Sequence, residues 1–317
     1  MNILLIGKDG QLGKAFQSLF DALKFPHNVR IKYVGRAECE LLDGDALLDL
    51  LEREKPNLII NASAYTAVDR AETEVDLAYA INAKVPERMA LYASSHGATL
   101  LHYSTDYVFD GNKESFYVET DPRNPLGIYG KSKAAGEEAI ERAFAKSGAG
   151  QFAIMRTSWV YGEGGNFIHT ILRLAKEREV LKVIYDQHGV PTSAQWLAQV
   201  SLDLILDKNL HLQSFPSGIY HAVPSGDTTW YGLASLAVQA GLDAGAAMKT
   251  TPGSIQPIKA VEYPLPAPRP QNSRMNNTKL RLAIERSGDM SKLQHWNKPY
   301  EQSVRAYVAH LMKDGLI

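Results

Sequence analysis

Short apolar runs alternate with longer amphipathic stretches through the first half of the chain, and this alternation constrains the fold more than any other feature. Helical patterns at about 11–24, 45–54, 75–96 and 129–147 separate the apolar runs. Strands that alternate with helices are typical of βαβ units, and a parallel sheet covered on both faces has near-continuous apolar strands. We therefore predict an α/β fold, a Rossmann-type doubly wound parallel sheet, with strands at Ile3–Ile6, Ile31–Val34, Leu58–Asn61, Thr99–Ser104 and Phe152–Thr157.

After about residue 160 the alternation loosens. A helical pattern at 166–178 is followed by strand, loop and helix patterns, and the stretch 251–274 is rich in proline, which favours extended loop. We predict a dinucleotide-binding domain over residues 1–160. Residues 161–317 are predicted to form mainly a smaller, interleaved C-terminal substrate lobe, with some segments returning to the first domain.

Composition excludes several classes of function. The chain has 317 residues, 45% of them hydrophobic, and a formal net charge of −1, so no general attraction to nucleic acid or to an anionic membrane is expected. The single cysteine, Cys39, excludes an intramolecular disulfide and a cysteine cluster for zinc. No apolar run reaches the ~20 residues of a membrane span, and the N-terminus does not resemble a signal peptide, so a cytoplasmic protein is expected.

The stretch NILLIGKDGQLGKAF places Gly7, Gly10 and Gly13 in a GxxGxxG pattern between the first predicted strand and the first predicted helix. Glycines at such a junction let the backbone approach a pyrophosphate, and the helix N-terminus offers N–H donors. The alternative is a tight strand–helix turn without a ligand. The position at the first βα junction favours dinucleotide binding.

The residues after the second strand usually decide between the two nicotinamide cofactors. In YVGRAECELLD no acid ends the strand, and Arg36 follows it, which makes Arg36 a candidate for the 2′-phosphate of NADPH. A solvated surface arginine is the alternative reading. Glu40 and Leu41 open the next turn, where they would line the adenine.

The loop NASAYTAVDRAE follows the third predicted strand, at the sheet edge where open α/β folds bind ligands. Its small residues, from Ala62 to Ala64, would let a cofactor pass close to the backbone. The charged residues that follow are expected to form structural salt bridges; these are Asp69, Arg70 and Glu72.

Tyr129 and Lys133 are four residues apart on a predicted helix and therefore share a face. A nearby ammonium is expected to lower the phenol pKa from about 10 toward neutrality, as an acid–base catalyst requires. Thr105, in STDYVFDG, could hold a ketone oxygen opposite the phenol. By itself the Tyr-x-x-x-Lys spacing also fits a surface pair, and the glycine loop together with the Ser-Thr-Asp cluster favours chemistry. The nine histidines show no metal spacing.

Several stretches together resemble the extended short-chain dehydrogenase/reductases and, among them, the dTDP-4-dehydrorhamnose reductases. They are the glycine loop, NASAYTAVDRAE, HYSTDYVFDG, YGKSK, RTSWVYGEGGNF, DQHGVPTSAQWLA and RPQNSRMNNTKL. The resemblance implies that NADPH, or alternatively NADH, reduces the C4 ketone of dTDP-4-dehydro-L-rhamnose. The product, dTDP-L-rhamnose, is a nucleotide-sugar donor for rhamnose-containing polysaccharides.

The same resemblance implies roles for individual residues. Tyr129 would be the proton donor, Lys133 its partner and Thr105 the residue that orients the carbonyl, while Asp106 and Trp159 would contact the sugar nucleotide. An indole face suits the methyl group of a deoxysugar, although a core tryptophan is the alternative. Besides Tyr129 and Lys133, the cofactor would be lined by Gly10, Gln11, Leu12, Glu40, Leu41, Ala64, Tyr65, Thr66 and Tyr103.

Arg269 and Arg274 are candidates for the diphosphate, because one guanidinium can bind two oxygens. Some members of the family bind magnesium at a dimer interface through C-terminal glutamates. Here Asn297 follows Trp296 where an acid would be needed, so no metal is predicted. A homodimer remains one possible assembly.

Two other functions remain open from the residues. One is another nucleotide-sugar reductase or epimerase of the same superfamily. The other is a non-catalytic NADP-binding regulatory subunit, which would have no functional reason to keep Tyr129, Lys133 and Thr105 together.

Overall fold

The computed structural model describes residues 1–296 and 298–316, and its central element is a six-stranded parallel sheet. In chain order the strands are Asn2–Ile6 (β1), Arg30–Val34 (β2), Leu58–Asn61 (β3), Thr99–Thr105 (β4), Gln151–Thr157 (β5), Val160–Tyr161 (β6), Leu181–Ile184 (β7), His188–Gly189 (β8), Thr192–Ser193 (β9), Gly218–His221 (β10), Thr228–Thr229 (β11) and Ile255–Ile258 (β12). The order in the large sheet is β10-β5-β4-β3-β1-β2. Because β2 and β3 flank β1 on opposite sides, the carboxyl ends of β1 and β3 form the switch point at which such sheets bind ligands.

The helices are Gln11–Ala22 (α1), Gly44–Glu54 (α2), Val68–Ala71 (α3), Val75–Tyr79 (α4), Val85–His96 (α5), Ile128–Ser147 (α6), Phe167–Glu177 (α7), Ala194–Ile205 (α8), Trp230–Asp243 (α9), Thr278–Glu285 (α10) and Tyr300–Lys313 (α11). A π-helical turn, Ala80–Lys84, joins α4 to α5, so the helix predicted over 75–96 is continuous but not α-helical throughout. Short 3₁₀ turns lie at Asp106–Val108, Pro252–Ser254, Ala260–Glu262 and Met290–His295.

Successive residues of β1 point into two different cores, as a doubly wound sheet requires. Ile3 and Leu5 pack with α1 and α8 on one face, whereas Leu4 and Ile6 pack with α2 and α5 on the other. All four are at most 1% exposed, and burial of each such side chain contributes roughly 1.5–3 kcal/mol. The predicted fold class is confirmed.

Strand β2 differs from the apolar run predicted for it. Its burial alternates along RIKYV, and Arg30 and Lys32 are exposed. The reason is that β2 lies at the edge of the sheet, where charged side chains protect an open strand from pairing with another chain.

The second half of the chain contributes to both parts of the molecule. Strand β10 pairs with β5 in the large sheet, and α8 and α10 pack in the same core as α1. The smaller lobe is formed instead by α7, α9 and α11, with β7 paired to β12 beside them. The domain boundary at residue 160 stays a prediction.

Cys39 is buried with a free thiol. Over the ranges 1–296 and 298–316, no helix combines the length and apolar character that a membrane crossing demands.

Candidate active site

The glycine loop follows β1 at the switch point of the sheet. Gly7 has φ +90, and its N–H donates to Val34 O at 2.8 Å. A Cβ at Gly7 would lie 2.7 Å from the Ala62 carbonyl carbon, and one at Gly13 would lie 2.1 Å from Gly7 O. These two glycines are therefore required by the close packing of the loop against α1 and the chain after β3.

Gly10 has a different environment. A Cβ there would meet only Gly7 O, at 3.5 Å, so this side of the loop is open. Gly10 is the N-cap of α1, and in the described part of the chain no side chain caps that helix. The first N–H groups of α1 and the positive end of its dipole therefore face an open groove, which suits a diphosphate.

The loop at 162–166 forms the opposite rim of this groove. Gln11 Nε2 lies 3.5 Å from Gly165 O, and Lys14 pairs with Glu163 at 2.6 Å on the exposed rim. The Gln11 side chain thus lies between the glycine loop and the loop at 162–166, and its contact with a cofactor stays a prediction. The half-buried Leu12 side chain packs against the core beneath α1.

At the far end of the groove, Arg36 is exposed just after β2. An unpredicted ion pair lies beside it, with Lys8 Nζ 2.6 Å from Glu38 Oε1 while Glu38 Oε2 accepts the Gly35 N–H at 2.7 Å. The exposed Glu40 carboxylate accepts from Leu42 N–H at 3.1 Å, within its own turn. Leu41 is half-buried against the core that contains α2.

The loop after β3 is fixed by a residue that the sequence reasoning missed. Buried Asn82, in the π-helical turn, accepts the Tyr65 N–H at 2.9 Å and donates to the Tyr65 carbonyl at 3.0 Å. The Tyr65 hydroxyl donates to Glu74 at 2.6 Å, and its ring belongs to the same small cluster as Tyr129. Ala64 and Thr66, on either side, are exposed.

Thr105 and Tyr129 meet at the carboxyl end of β4. The Thr105 hydroxyl donates to Asp106 Oδ1 at 2.9 Å, accepts the Tyr107 N–H at 3.2 Å and faces the hydroxyl of Tyr129. Tyr129, in the first turn of α6, packs edge-on against the Tyr107 ring with centroids 5.4 Å apart. The two hydroxyls predicted to bind one ketone oxygen are therefore adjacent.

The predicted effect of Lys133 on Tyr129 is wrong for this structure. Burial raises the pKa of Tyr129 to about 12, and the Thr105 hydroxyl lowers it only in part. Lys133 Nζ instead donates to Tyr103 O at 2.5 Å and lies 3.4 Å from His102 Nε2. Tyr129 is consequently protonated at neutral pH, which is the form that can give a proton to a ketone.

Tyr103 contributes its carbonyl to the site, whereas its ring points away, and its predicted contact with the cofactor stays a prediction. Its ring lies in the core between β4 and α8, where its hydroxyl donates to Ser201 Oγ at 2.7 Å. Burial raises the pKa of that phenol. Only the Tyr103 carbonyl reaches the site, as the acceptor for Lys133.

Asp106 lies behind Thr105 and is 2% exposed. One carboxylate oxygen accepts from Thr105, and the other accepts from the Ser273 hydroxyl. Burial raises the pKa of this carboxyl to about 6. The structure therefore places Asp106 to orient Thr105, and direct contact with a sugar is not available to it here.

Trp159 lies two residues beyond β5, at the start of the smaller lobe. Its φ is +47, and its indole stacks on Trp230 with centroids 3.7 Å apart and an interplanar angle of 15°. Gly189 approaches the indole so closely that a Cβ there would lie 2.5 Å from Cε2. Trp159 thus provides a half-buried aromatic surface, fixed from two sides.

The two arginines proposed for a diphosphate are both engaged within the chain. Arg269 binds Asp69 through two nitrogens at 2.6 and 2.8 Å, which holds the pKa of that carboxyl below its usual range. Arg274 donates to Asn272 Oδ1 at 2.8 Å and to Glu114 O at 2.6 Å.

Of the three charged residues after β3 that were predicted to form salt bridges, Asp69 and Arg70 form one each, whereas Glu72 forms none within the described residues. Besides the Asp69–Arg269 pair, Arg70 binds Glu74 at 3.0 Å through Nε. Glu72 accepts the Ile128 N–H at 2.8 Å, at the start of α6.

A buried ion cluster fixes α6 against the sheet, and the sequence reasoning did not find it. Glu137 is fully buried and accepts from Arg156 at 2.9 and 2.6 Å and from Arg123 at 2.6 Å. These guanidinium groups hold the pKa of Glu137 below its usual value despite its burial. The cluster stabilises the helix that carries Tyr129 and Lys133.

Within the ranges that the structure describes, no three His, Cys, Asp or Glu side chains are grouped to hold a metal ion. Asn297, on which the prediction about magnesium depends, lies outside the described residues.

Comparison with known proteins gives one consistent result. The family model described as RmlD substrate binding domain matches residues 1–309. A dTDP-4-dehydrorhamnose reductase from Escherichia coli K12 is 42% identical over 288 residues, which are 88% of this chain and 90% of the relative.

Two solved structures of dTDP-4-dehydrorhamnose reductases have closely similar folds. The one from Clostridium acetobutylicum has a TM-score of 0.83 and 34% identity, covering 98% of this chain and 100% of the other. The one from Bacillus anthracis, in complex with NADP, has a TM-score of 0.80 and 30% identity, covering 98% and 99%.

Proposed function

This chain belongs to the family of the RmlD substrate binding domain, and from that premise we propose that it reduces the C4 ketone of dTDP-4-dehydro-L-rhamnose to dTDP-L-rhamnose with NADPH. The observation that carries the proposal is the meeting of the Thr105 and Tyr129 hydroxyls at the carboxyl end of β4. The glycine loop lies at the same edge of the sheet, two strands away.

The residues around the glycine loop fit a dinucleotide. Gly10 leaves one side of the loop open, and the uncapped first turn of α1, within the described chain, offers N–H donors to a diphosphate. Arg36 places a positive charge just after β2, where a 2′-phosphate would be recognised, beside the Lys8–Glu38 ion pair. NADPH, when bound, supplies the hydride.

Tyr129 supplies the proton. A ketone oxygen that enters between Thr105 and Tyr129 can accept a hydrogen bond from the Tyr129 hydroxyl, and from the Thr105 hydroxyl once that hydroxyl rotates away from Asp106 Oδ1. These hydrogen bonds polarise the carbonyl. As the C4 carbon receives the hydride, the Tyr129 O–H bond breaks and a new O–H bond forms on the substrate oxygen. The ketone becomes a secondary alcohol, and the Tyr129 phenolate must be protonated again before the next turnover.

Asp106 and Lys133 support this step from two sides. Asp106 keeps the Thr105 oxygen within reach of Tyr129, and Ser273 keeps Asp106 in place. Lys133 lies one helical turn beyond Tyr129, and its donor contact with Tyr103 O fixes its amine beneath the site.

The stacked indoles of Trp159 and Trp230 provide an apolar wall that suits the methyl group of a 6-deoxyhexose. Arg269 stays a proposed ligand of the substrate diphosphate, because a guanidinium has five donors and its contacts with Asp69 and Ala267 do not use them all.

The alternatives differ in measurable ways. An epimerase returns the hydride to its sugar, so it consumes no net NADPH, and a regulatory subunit turns nothing over. The meeting of the Thr105 and Tyr129 hydroxyls, with Lys133 buried one helical turn further along α6, favours an enzyme over a regulatory subunit. A cytoplasmic location, a homodimeric assembly and use of NADH as a second cofactor stay predictions.

The test uses NADPH deuterated at the transferred position and enzymatically made dTDP-4-dehydro-L-rhamnose. We expect one NADPH to be consumed for each sugar, with deuterium at C4 of the product and the mass gain of a reduced ketone. An isomer of unchanged mass, without net NADPH consumption, would identify an epimerase and contradict the proposal. Tyr92→Phe, which removes the hydroxyl of a buried tyrosine in α5, is the matched control for Tyr129→Phe.

A further inference from the structure

A buried chain of polar contacts runs from the loop after β3 to the amine of Lys133. The Ser63 N–H donates to Asn61 Oδ1 at 3.1 Å, Asn61 Nδ2 lies 3.0 Å from His102 Nδ1, and His102 Nε2 lies 3.4 Å from Lys133 Nζ. Asn61, His102 and Lys133 are each at most 2% exposed. None of these contacts with His102 enters the function proposed above.

The contacts fix which nitrogen of His102 carries the hydrogen. A backbone N–H can only donate, so the Asn61 atom that faces Ser63 is the oxygen, and the Asn61 atom that faces His102 is the amide nitrogen. That nitrogen is a donor, which makes His102 Nδ1 the acceptor. The neutral imidazole therefore carries its hydrogen on Nε2, pointing at Lys133.

This tautomer discriminates between the two forms of the lysine. An ammonium has three donors and no acceptor, so it cannot accept the His102 Nε2–H, whereas a neutral amine has one lone pair that can. A hydrogen bond made only to the neutral form favours that form. Burial and the Lys133 charge both lower the pKa of His102, well below its usual value, so the imidazole stays neutral beside the lysine.

The other titratable groups around Lys133 act in both directions. Burial lowers the pKa of Lys133 to about 8, and Glu137, one turn further along α6, opposes this by favouring the ammonium. Arg156 and Arg123 bind Glu137 and reduce its influence. Tyr129, one turn earlier, is uncharged at neutral pH.

We propose that His102 is a positioning residue for Lys133, and that its Nε2–H, oriented by Asn61 and Ser63, holds the amine in place and favours its neutral form. Lys133 can then lose a proton and regain it from water near neutral pH, where an ordinary lysine stays charged. The role of this exchange in turnover rests on the function proposed above, whereas the tautomer and the protonation of Lys133 do not.

The first test is NMR of ¹⁵N-histidine-labelled protein, with the His102 signals identified by their absence in His102→Gln. We expect an unprotonated Nδ1 and a protonated Nε2 that do not change over about pH 5–8, where an ordinary histidine titrates. A hydrogen on Nδ1, or titration of the ring in this range, would overturn the proposal. This measurement needs neither substrate nor a destabilised variant.

The second test follows the titration of Lys133 by ¹³C NMR of lysine-labelled protein, with the signal identified by its absence in Lys133→Arg. His102→Leu removes the N–H that faces the amine, so the pKa of Lys133 should rise by about one unit. His102→Gln can keep an acceptor toward Asn61 and an N–H toward Lys133, so it should hold the wild-type titration. Equal titration in the wild type and the Leu variant would overturn the proposal.

Turnover adds a readout that a merely structural role would not change. If Lys133 must be charged during turnover, the high-pH limb of kcat should move upward in His102→Leu and stay in place in His102→Gln. A uniform loss of kcat at every pH, without a shift, would contradict a role through Lys133. Absence of turnover in the wild type would reject the proposed function instead, and the two NMR results would still decide the role of His102.

Discussion

The glycine loop and the Thr105–Tyr129 site lie at the same edge of one sheet but are built in different ways. The loop is made of backbone: Gly7 and Gly13 have no room for a Cβ, and the N–H groups of α1 supply the binding surface. The site at β4 is made of side chains: Asp106 holds the hydroxyl of its neighbour Thr105, and Ser273, from a distant part of the chain, holds Asp106.

The difference indicates that the two regions have different functions, one in binding the diphosphate and the other in proton transfer. A backbone surface binds a diphosphate with little dependence on pH, because N–H groups and a helix dipole do not titrate in the working range. A site of buried side chains can instead hold a phenol protonated and a carboxyl partly ionised near neutrality. Variants in the two regions should therefore change different measured quantities.

Tyr129→Phe should have the largest effect. Without its proton donor the enzyme should lose about 10²–10⁴-fold in kcat, whereas the Kd for NADPH should stay unchanged. Steady-state kinetics and a fluorescence titration with NADPH measure the two quantities. Retained turnover would show that Tyr129 is not the donor, and equal losses in both quantities would abolish the distinction between the regions.

Asp106→Asn should have an effect that depends on pH. The folded-state pKa of about 6 lies above the unfolded value of roughly 4, so the folded wild type binds this proton more tightly. The contribution of this carboxyl to stability is therefore fully present below about pH 4, and about 3 kcal/mol of it is lost as pH rises through about 6. Because asparagine does not titrate, the Asp106→Asn variant does not lose this stability as pH rises.

The unfolding free energies of both proteins, measured by urea unfolding over this pH range, test that prediction. Other carboxyls titrate in both proteins and cancel in the difference. The variant should gain stability relative to the wild type as pH rises. A difference that is constant with pH would show that the Asp106 carboxyl is not held at a raised pKa.

The variants Gly13→Ala and Gly10→Ala test separately whether a glycine of the loop is needed for packing or for binding of NADPH. A Cβ at Gly13 overlaps Gly7 O, so that variant should lose about 1–3 kcal/mol of unfolding free energy or fail to fold. A Cβ at Gly10 enters only the open groove, so stability should hold while the Kd for NADPH rises about tenfold, or ~1.4 kcal/mol. The reverse pattern would place the ligand elsewhere.

Arg36→Ala should have the smallest effect. Because Arg36 is exposed, its contact with a 2′-phosphate is screened, and about 1 kcal/mol, a few-fold in the Kd for NADPH, is expected. The Kd for NADH should not change. An equal change in the Kd for both cofactors would show that Arg36 does not recognise the 2′-phosphate. Arg53→Ala, which removes another exposed arginine, is the matched control.

The sequence was sufficient for features that depend on local pattern. The five predicted strands are present with ends shifted by at most one residue. Four of them are apolar runs buried on both faces, which are distinctive in a sequence, and the fifth is the edge strand β2. The spacing of Tyr129 and Lys133 on one helix, after a strand that ends in Thr105, likewise depends on neighbours in the chain.

The contacts that set the orientation and protonation of the site residues could not be predicted from local sequence pattern. His102 meets Asn61 across 41 residues, and Ser273 meets Asp106 across 167, so no local spacing relates them. Strand alternation gives a partial indication, since neighbours in β4 point to opposite faces. It would have placed Tyr103 away from His102, in the core where the structure has it.

The most direct test of the central claim is the rate of NADPH oxidation by the wild-type protein with dTDP-4-dehydro-L-rhamnose, with NADH measured in parallel. We expect rapid oxidation that requires the sugar and disappears in Tyr129→Phe. A protein that binds NADPH but does not oxidise it with this ketone would contradict the account.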